Sequence, residues 1–372
     1  MGTSTAEAIL TGSRFVPGGD FTVGAEEELL LVDGDLQLRH AEADELVERL
    51  RIECAEAGTA STELYAAEVE FATAVCADAE GVASCLRAAR SCLAVSGARA
   101  LAAGVHPDGA FGEARLTDAA RYRAIGDSFA GLLRTPTASL QVHVGLPDAR
   151  AAVAAYRGLR NHLAILGALA ASSPFWHGRD SGLASARWAV INSYPRGGVP
   201  PVVDSWEEYV ALAEAVVAAA EVPDYTQVWW DARIQPRFGT VEVRVMDAQP
   251  SLAIVAGLTA LVQGVARDAV ERATSPDVPG PVLAENDFRV ARHGLDTAIV
   301  DVDGSMRSVR ELAHTLVARA RDVLDGGQAA PLEAVERLLV DEPEYVRQRR
   351  VHAAGGMPAL LQDLASRTMQ GR

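Results

Sequence analysis

The stretch VGAEEELLLVD, residues 23–33, sets three successive glutamates, Glu26, Glu27 and Glu28, inside an otherwise apolar run. In an extended strand successive side chains point to opposite faces. Glu26 and Glu28 therefore share a face, roughly 6–7 Å apart, with Glu27 behind them or at the rim. Like charges gathered in an apolar strand repel, and burial disfavours their ionisation. A solvated edge strand would tolerate them, whereas a shared cation would reverse the repulsion. Hard divalent cations take carboxylate oxygens, and Mg²⁺ binds to a few carboxylates together with substrate phosphates.

The pattern returns three times. In AAEVEFAT, residues 66–73, Glu68 and Glu70 share a face; an exposed strand accounts for Glu68 as well as a cation site does, and for Glu70 less well. In SLQVHVGLPD, Gln141 and His143 share one face while Leu140, Val142 and Val144 fill the other. In RFGTVEVRVMD, strict alternation puts Thr240, Glu242, Arg244 and Met246 on one face and Val241, Val243 and Val245 on the other. Glu242 and Arg244 could be a plain ion pair. Arg233 and Arg237 lie just upstream, however, so three arginines converge on one glutamate. Guanidinium forks bind phosphates and carboxylates in bidentate fashion, and the excess of positive charge suits such a ligand. Carboxylates for Mg²⁺ and arginines for transition-state charge fit phosphoryl transfer. Without the cation the carboxylates should repel, raising the pKa of some of them.

Strands over 21–33, 67–73, 138–146 and 240–247 must carry these residues, and helical spacing marks 82–102, 149–172, 206–221 and 251–274. From Ser308 onward the chain reads as helices broken at Gly326, Gly327, Pro343, Gly355 and Gly356. Strands interspersed with helices, without a regular βαβ rhythm, predict an α+β fold with one charged sheet face and helices on the other. The segment 173–201 is long, rich in Pro, Gly, Arg and Ser, and contains Phe175, Trp176 and Trp188; such loops are usually functional. A proline-rich linker at 275–281 leads to a helical part from about residue 282. The expected organisation is a lead over 1–20 and one catalytic domain over 21–372.

Composition excludes several classes. With 49% hydrophobic and 23% charged residues in a chain of 372, the protein is globular. A formal charge of −16 speaks against nucleic acid, whose binders need a basic surface, and against anionic membranes. No signal peptide and no uninterrupted apolar run of membrane-spanning length is present, so a cytoplasmic protein is expected. The chain contains no lysine, which rules out a Walker A loop or a pyridoxal Schiff base. Bound phosphates must meet arginine and metal. Cys54, Cys76, Cys85 and Cys92 form no CxxC pair, and buried free thiols are expected.

At these residues the sequence resembles the type 2 glutamate–cysteine ligases, carboxylate–amine ligases of the glutamine synthetase-like superfamily. FTVGAEEELLLV, the TEL…EVEFATAVC segment, GVHP, QVHVG, SSPFWHGRDSGLASAR and RFGTVEVRVMD carry the likeness, with RVARHGLD toward the C-terminal part. The resemblance implies an antiparallel sheet of about six strands. It also implies that ATP phosphorylates a glutamate side chain and that an amine, cysteine by default, displaces the phosphate. Glu26, Glu28, Glu70 and Glu242 would be metal ligands for Mg²⁺, or Mn²⁺ in its place. Arg233 and Arg244 would meet phosphates or the substrate carboxylate and complete the catalytic set with Glu242. Gln141, His143, Arg187 and Arg237 would bind substrate or ATP. Two positions depart from the family pattern: Gln141 and Arg237 stand where many relatives have histidine, which leaves the acid and the amine open. A ligase of secondary metabolism with another acid and amine, or a phosphotransferase of the same superfamily, are the rival readings. Partners would be small molecules, and a homodimer is compatible with all of this.

Overall fold

The computed structural model describes residues 14–15, 20–41, 43–272 and 276–370. Most of the 1–20 lead and the start of the 275–281 linker lie outside the described residues. Seven strands form the central sheet: β1 (Val23–Val32), β2 (Gly58–Thr62), β3 (Glu68–Thr73), β4 (Arg99–Leu101), β5 (Ser139–Gly145), β6 (Ala232–Gln235) and β7 (Thr240–Asp247). They run in the order β6-β7-β5-β1-β3-β2, and each of these pairings is antiparallel. Leu30 pairs with both Glu68 and Leu101, so the short β4 lies on the edge of β1 opposite β3, in line with β5. The α+β fold is as expected, with β4 added to the six strands of the main path.

Register fixes which polar side chains meet. Glu242 lies opposite His143, Gln141 opposite Glu26, and Glu28 opposite Glu70. The sequence pairs thus become rows running across β7, β5, β1 and β3. On the other face Ala25, Leu29, Leu140, Val142, Val241 and Val243 are buried.

Helices cover that apolar face. The first are α1 (Ala79–Val95), α2 (Ala149–Arg160) and α3 (Leu163–Ala170). Then come α5 (Leu252–Glu271), α6 (Val309–Val323), α7 (Leu332–Val340) and α8 (Glu344–Gln370), whereas α4 (Ala186–Ile191) lies on the charged side, where its Arg187 lines a cavity with Glu28 and Arg244. Asp78 and Asp148 cap α1 and α2 by accepting the N–H groups of Gly81 and Ala151 at 2.9 and 2.7 Å. The helix expected over 82–102 stops at Val95, because Gly97 takes a φ of +79° and turns the chain into β4. Likewise 149–172 is two helices, α2 and α3.

The central helix α5 is long and apolar enough to cross a membrane by length and composition, yet it is mostly buried, packed on α1, α2, α6 and α7. It is the core helix of the domain. A Cβ at its Gly264 would come within 2.5 Å of that of Ala320, so only glycine lets α6 approach this closely. The helical C-terminal part therefore shares the hydrophobic core of the sheet. α8 kinks at Gly356, where φ is +70°, just before Pro358.

One expectation needs correction. Cys54 and Cys92 are joined as a disulfide, and only Cys76 and Cys85 are free. The long 173–201 segment carries short elements of its own: Phe175–Trp176 pairs with Arg179–Asp180, α4 follows, and Gly197–Gly198 pairs in parallel with Trp229–Trp230.

Glu27 points behind the sheet, where it is 1% exposed and meets Arg90, which is equally buried. Arg90 grips both carboxylate oxygens, at 2.5 and 3.0 Å. Its remaining donors reach the carbonyls of Gln249, Pro250 and Thr368 at 2.6, 2.7 and 3.2 Å. This ion pair welds β1 to α1, to the turn after β7 and to the end of α8.

Candidate active site

The deepest charged group on the front face is Glu242, which is 0% exposed. Arg233, opposite it on β6, holds both its oxygens, with Nε at 2.6 Å and Nη2 at 3.3 Å. Nη1 of Arg233 donates to the carbonyls of Thr226 and Val228 at 3.0 and 3.1 Å. Arg233 thus commits most of its donors to positioning Glu242 and to the backbone. Arg244 also donates to Glu242 and, with the same nitrogen, to the side-chain oxygen of Gln141. The amide nitrogen of Gln141 donates onward to Glu28 at 2.7 Å. Gln141 accepts on one side and donates on the other, which links Arg244 on β7 to Glu28 on β1.

Glu26, His143 and Glu242 come together as a possible metal set, each offering one ligand atom within 4.8 Å of the others. Nδ1 of His143 is bonded to Thr240 Oγ1 at 3.0 Å, which leaves Nε2 facing Glu26 Oε1 at 3.4 Å. That nitrogen is buried without a hydrogen-bond partner. A carboxylate has about four acceptor sites, and the two arginines occupy three on Glu242. One oxygen site on Glu242 and one nitrogen on His143 remain for a cation, so the donor set fits a metal. His143, expected to bind substrate or ATP, joins this set. Glu28 and Glu70 stand apart from it as direct cross-strand neighbours. Glu28 accepts from the N–H and hydroxyl of Ser139 at 2.7 and 2.8 Å, and Glu70 from Ser61 at 3.0 Å.

Alternation breaks in β7. The register against β5 shifts between Val243 and Met246, so Met246 pairs with Leu140 on the helix side and Asp247 with Ser139 in front. Strict period two had put Met246 on the charged face; the bulge reverses the parity. Asp247 accepts from Ser172 N–H at 3.0 Å and from the hydroxyls of Ser173 and Ser185 at 2.7 and 2.9 Å. Its carboxylate pins the 173–201 segment to the sheet. Arg187 in that segment donates to the carbonyls of Arg244 and Val245 at 3.2 and 3.3 Å, holding the bulge from outside. Its Nε has no partner.

Two cavities flank this row. The first, of about 540 Å³, includes Glu26, His143 and Arg237 and is otherwise mostly apolar, with Val75 and Phe238 at its wall. Arg14 also lines it. The Arg14 N–H donates to the Pro236 carbonyl at 2.9 Å, and the neighbouring Phe15 ring meets Trp206 at 5.6 Å. A residue of the expected lead therefore reaches the site. The second cavity, of about 300 Å³, is polar on one side, with Glu28, Glu63, Glu68, Asp231, Arg187 and Arg244. Its other side is aromatic and aliphatic.

Charge is balanced differently in the two halves. Burial works to raise Glu242, but Arg233 and Arg244 outweigh it and hold the carboxyl far below its ordinary range. Burial likewise works to raise Glu26, and the His143 ring beside it brings it down. His143 is raised, since Glu242 and Glu26 overcome the effect of its burial. Around the second cavity burial wins. It raises Glu28 against Arg187 and Ser139. Glu63 is pushed up to about 7 by burial and by Glu28. Glu70 and Glu68 are pushed well up by burial and by neighbouring glutamates. The repulsion expected of the whole cluster prevails in this half; in the other, Glu242 acts to raise Glu26 but His143 and Arg244 outweigh it.

Sequence patterning missed Glu63, Asp231 and Asp247, and left Glu68 open between a solvated face and a cation site; it is 3% exposed. Glu63 precedes β3 outside any strand, so alternation offers no signal for it. Asp247 needed knowledge of the bulge.

Comparison with known proteins bears on the family and the fold. The profile of glutamate-cysteine ligase family 2 matches residues 22–362. A Rubrobacter xylanophilus protein provisionally named glutamate–cysteine ligase 2-3 is 36% identical over 96% of this chain and 99% of its own. One from Frankia alni, provisionally named glutamate–cysteine ligase 2-1, is 33% identical over 94% and 96%. Among solved structures, the glutamate–cysteine ligase of Francisella tularensis in complex with AMP superposes with a TM-score of 0.73 at 10% identity, covering 96% of this chain and 90% of that one. A bifunctional glutathione synthetase from Pasteurella multocida superposes at 0.68 and 12% identity, covering 98% of this chain and 53% of that one. These two likenesses are of fold. The sequence matches carry the assignment: the chain belongs to glutamate–cysteine ligase family 2, ATP-dependent carboxylate–amine ligases.

Proposed function

We propose that the protein joins the side-chain carboxylate of glutamate, or of a close analogue, to an amine through an acyl phosphate, with cysteine the amine that the family name suggests. The observation that carries this reading is the placement of Glu26, His143 and Glu242 between an apolar cavity and a charged one. The first suits ATP, with Phe238 and Val75 for the base and Arg14 and Arg237 for phosphates. The second suits an amino acid, whose opposite charges find both carboxylates and arginines there.

The substrate carboxylate oxygen attacks the γ-phosphorus as the bond to ADP breaks. The amine nitrogen then attacks the acyl carbon, phosphate leaves, and the nitrogen loses a proton. Arg244 lines the second cavity, bonded to Glu242, and would neutralise charge on the moving phosphoryl group. Arg233 keeps Glu242 ionised and in place. A divalent cation held by Glu26, His143 and Glu242 supplies further charge neutralisation when bound. Carboxylate oxygens suit Mg²⁺ and Mn²⁺. Glu28 and Glu70, opposite each other across β1 and β3, would offer carboxylate oxygens to a second cation. We place the reaction in the cytoplasm, where ATP is supplied.

The test is phosphate release from ATP with single amino acids and with pairs. A ligase needs both acid and amine, with a conjugate of matching mass. Release with one amino acid alone, and no conjugate, would make the protein a phosphotransferase instead.

A further inference from the structure

The second cavity holds a buried carboxyl group for which phosphoryl transfer has no use. Glu68 lines it, is 3% exposed, and leaves one carboxyl oxygen, Oε1, without a hydrogen-bond partner among the described residues. Its other oxygen accepts from the Tyr65 N–H at 3.4 Å, a long contact. A buried, unpartnered carboxylate oxygen is costly, so a ligand that partners it is favoured. The arginines of the cavity are held largely by other partners: Arg244 by Glu242 and Gln141, Arg187 by two backbone carbonyls with its Nε left over, and Arg121 by Thr226 Oγ1 at 3.0 Å.

The wall around Glu68 suits a cation with an apolar body. The hydroxyls of Tyr65 and Tyr194 share a hydrogen bond of 3.2 Å, and that of Tyr122 donates to the Thr62 carbonyl at 3.0 Å. With their hydroxyls occupied, these rings offer π faces, which attract ammonium groups. Ile125, Leu133 and Trp229 continue the wall as one apolar cluster with Tyr65. Four acids, Glu28, Glu63, Glu68 and Asp231, already crowd the cavity. The acid substrate takes what the arginines still offer, so an amine bringing a carboxylate of its own would add to that repulsion.

We propose that Glu68 anchors the ammonium group of the acceptor amine, and that this acceptor is a primary amine with an aromatic or aliphatic body and no carboxylate. The inference rests on the ligase reading of the same site and sharpens it. Glu68 is here a positioning residue: it holds the amine where the activated acid will form.

Calorimetric titration of 2-phenylethylamine, 2-phenylethanol and L-cysteine into the full chain and into Glu68→Gln tests this. The parent should bind the amine at least tenfold more tightly than the alcohol or cysteine, and Glu68→Gln should lose that margin while keeping its affinity for ATP·Mg²⁺. Equal binding of amine and alcohol by the parent overturns the proposal, as does an undiminished margin in Glu68→Gln. Should the variant not fold, the comparison of three ligands on the parent decides alone. Phosphate release separates this from the underlying reading. If the amine binds through Glu68 yet no acid and amine together release phosphate, the anchor stands and the ligase reading falls. If release requires an amine, and Glu68→Gln uses each amine with the parent's KM, the ligase reading stands and the anchor falls.

Discussion

Glu27 and Glu28 are neighbours in β1 and have opposite fates. Behind the sheet Glu27 is fully matched: one arginine takes both oxygens, and that arginine has no donor left over for a ligand. In front, Glu28 meets only neutral donors and lies opposite another glutamate. One residue type thus serves as a rivet on one face and as unmet demand for a cation on the other. A carboxylate with all its partners stabilises a fold, whereas one short of partners is available for a ligand.

The largest effect should come from breaking the rivet. Arg90→Leu leaves Glu27 buried and uncompensated, so we expect a loss of about 3–5 kcal/mol in urea unfolding. Glu27→Leu combined with Arg90→Leu should recover most of that loss. A single variant within about 1 kcal/mol of the parent would show that the back-face pair is not what binds β1 to the helices.

In front the sign reverses. Glu70→Gln should slow turnover at least a hundredfold, about 2.7 kcal/mol of barrier, while melting at or above the parent in EDTA. Saturation with ATP and Mg²⁺ at a hundredfold excess over Kd should stabilise the parent by about 2.7 kcal/mol and the variant by less. A Glu70→Gln protein that melts lower in EDTA would make Glu70 a second structural carboxylate.

The smallest effect is in pH. Burial and Glu28 raise Glu63 to about 7, so in the metal-free protein its protonated form favours the folded state. That contribution is fully present below the unfolded carboxyl value and is lost as pH rises through about 7. Stability from this group should therefore grow as pH falls from 8 toward 4.5, the ordinary carboxyl value. Glu242, held low by its arginines, works the other way and loses its contribution only in stronger acid. Denaturant midpoints in EDTA across that range should slope less in Glu63→Gln than in the parent. Equal slopes would remove Glu63 from the strained group.

Much of this was legible because β1, β3, β5 and β7 alternate cleanly and lie next to one another. Their shared faces, read one strand at a time, became the front of the sheet. GTAST, RAL and ARIQ, the strands β2, β4 and β6, are too short or too uniform to show a period. The helix read through 82–102 overran because Ala, Leu and Arg suit either state, and only Gly97 marks the turn. Among site residues, type was easier to read than partner. Arg233 was visible as a cation near Glu242, yet nothing in its spacing tells that backbone carbonyls and Glu242 take up its donors. Glu27 gave no sign of its rivet, since Arg90 is 63 residues away.

The hydrogen bond from Arg90 to the Thr368 carbonyl, with the Ala102 N–H on the Thr368 hydroxyl at 3.0 Å, bears on how the protein is made. A ribosome delivers β1 early and Thr368 more than three hundred residues later, so during synthesis Arg90 waits with a donor unmet. The strand that carries the chemistry cannot be sealed in vectorial order, as an N-terminal unit folding ahead of the rest would be. Completion is deferred until the nascent chain has brought α8 back across the sheet. A premature stop before that helix would leave its damage at β1, at the opposite end of the polypeptide.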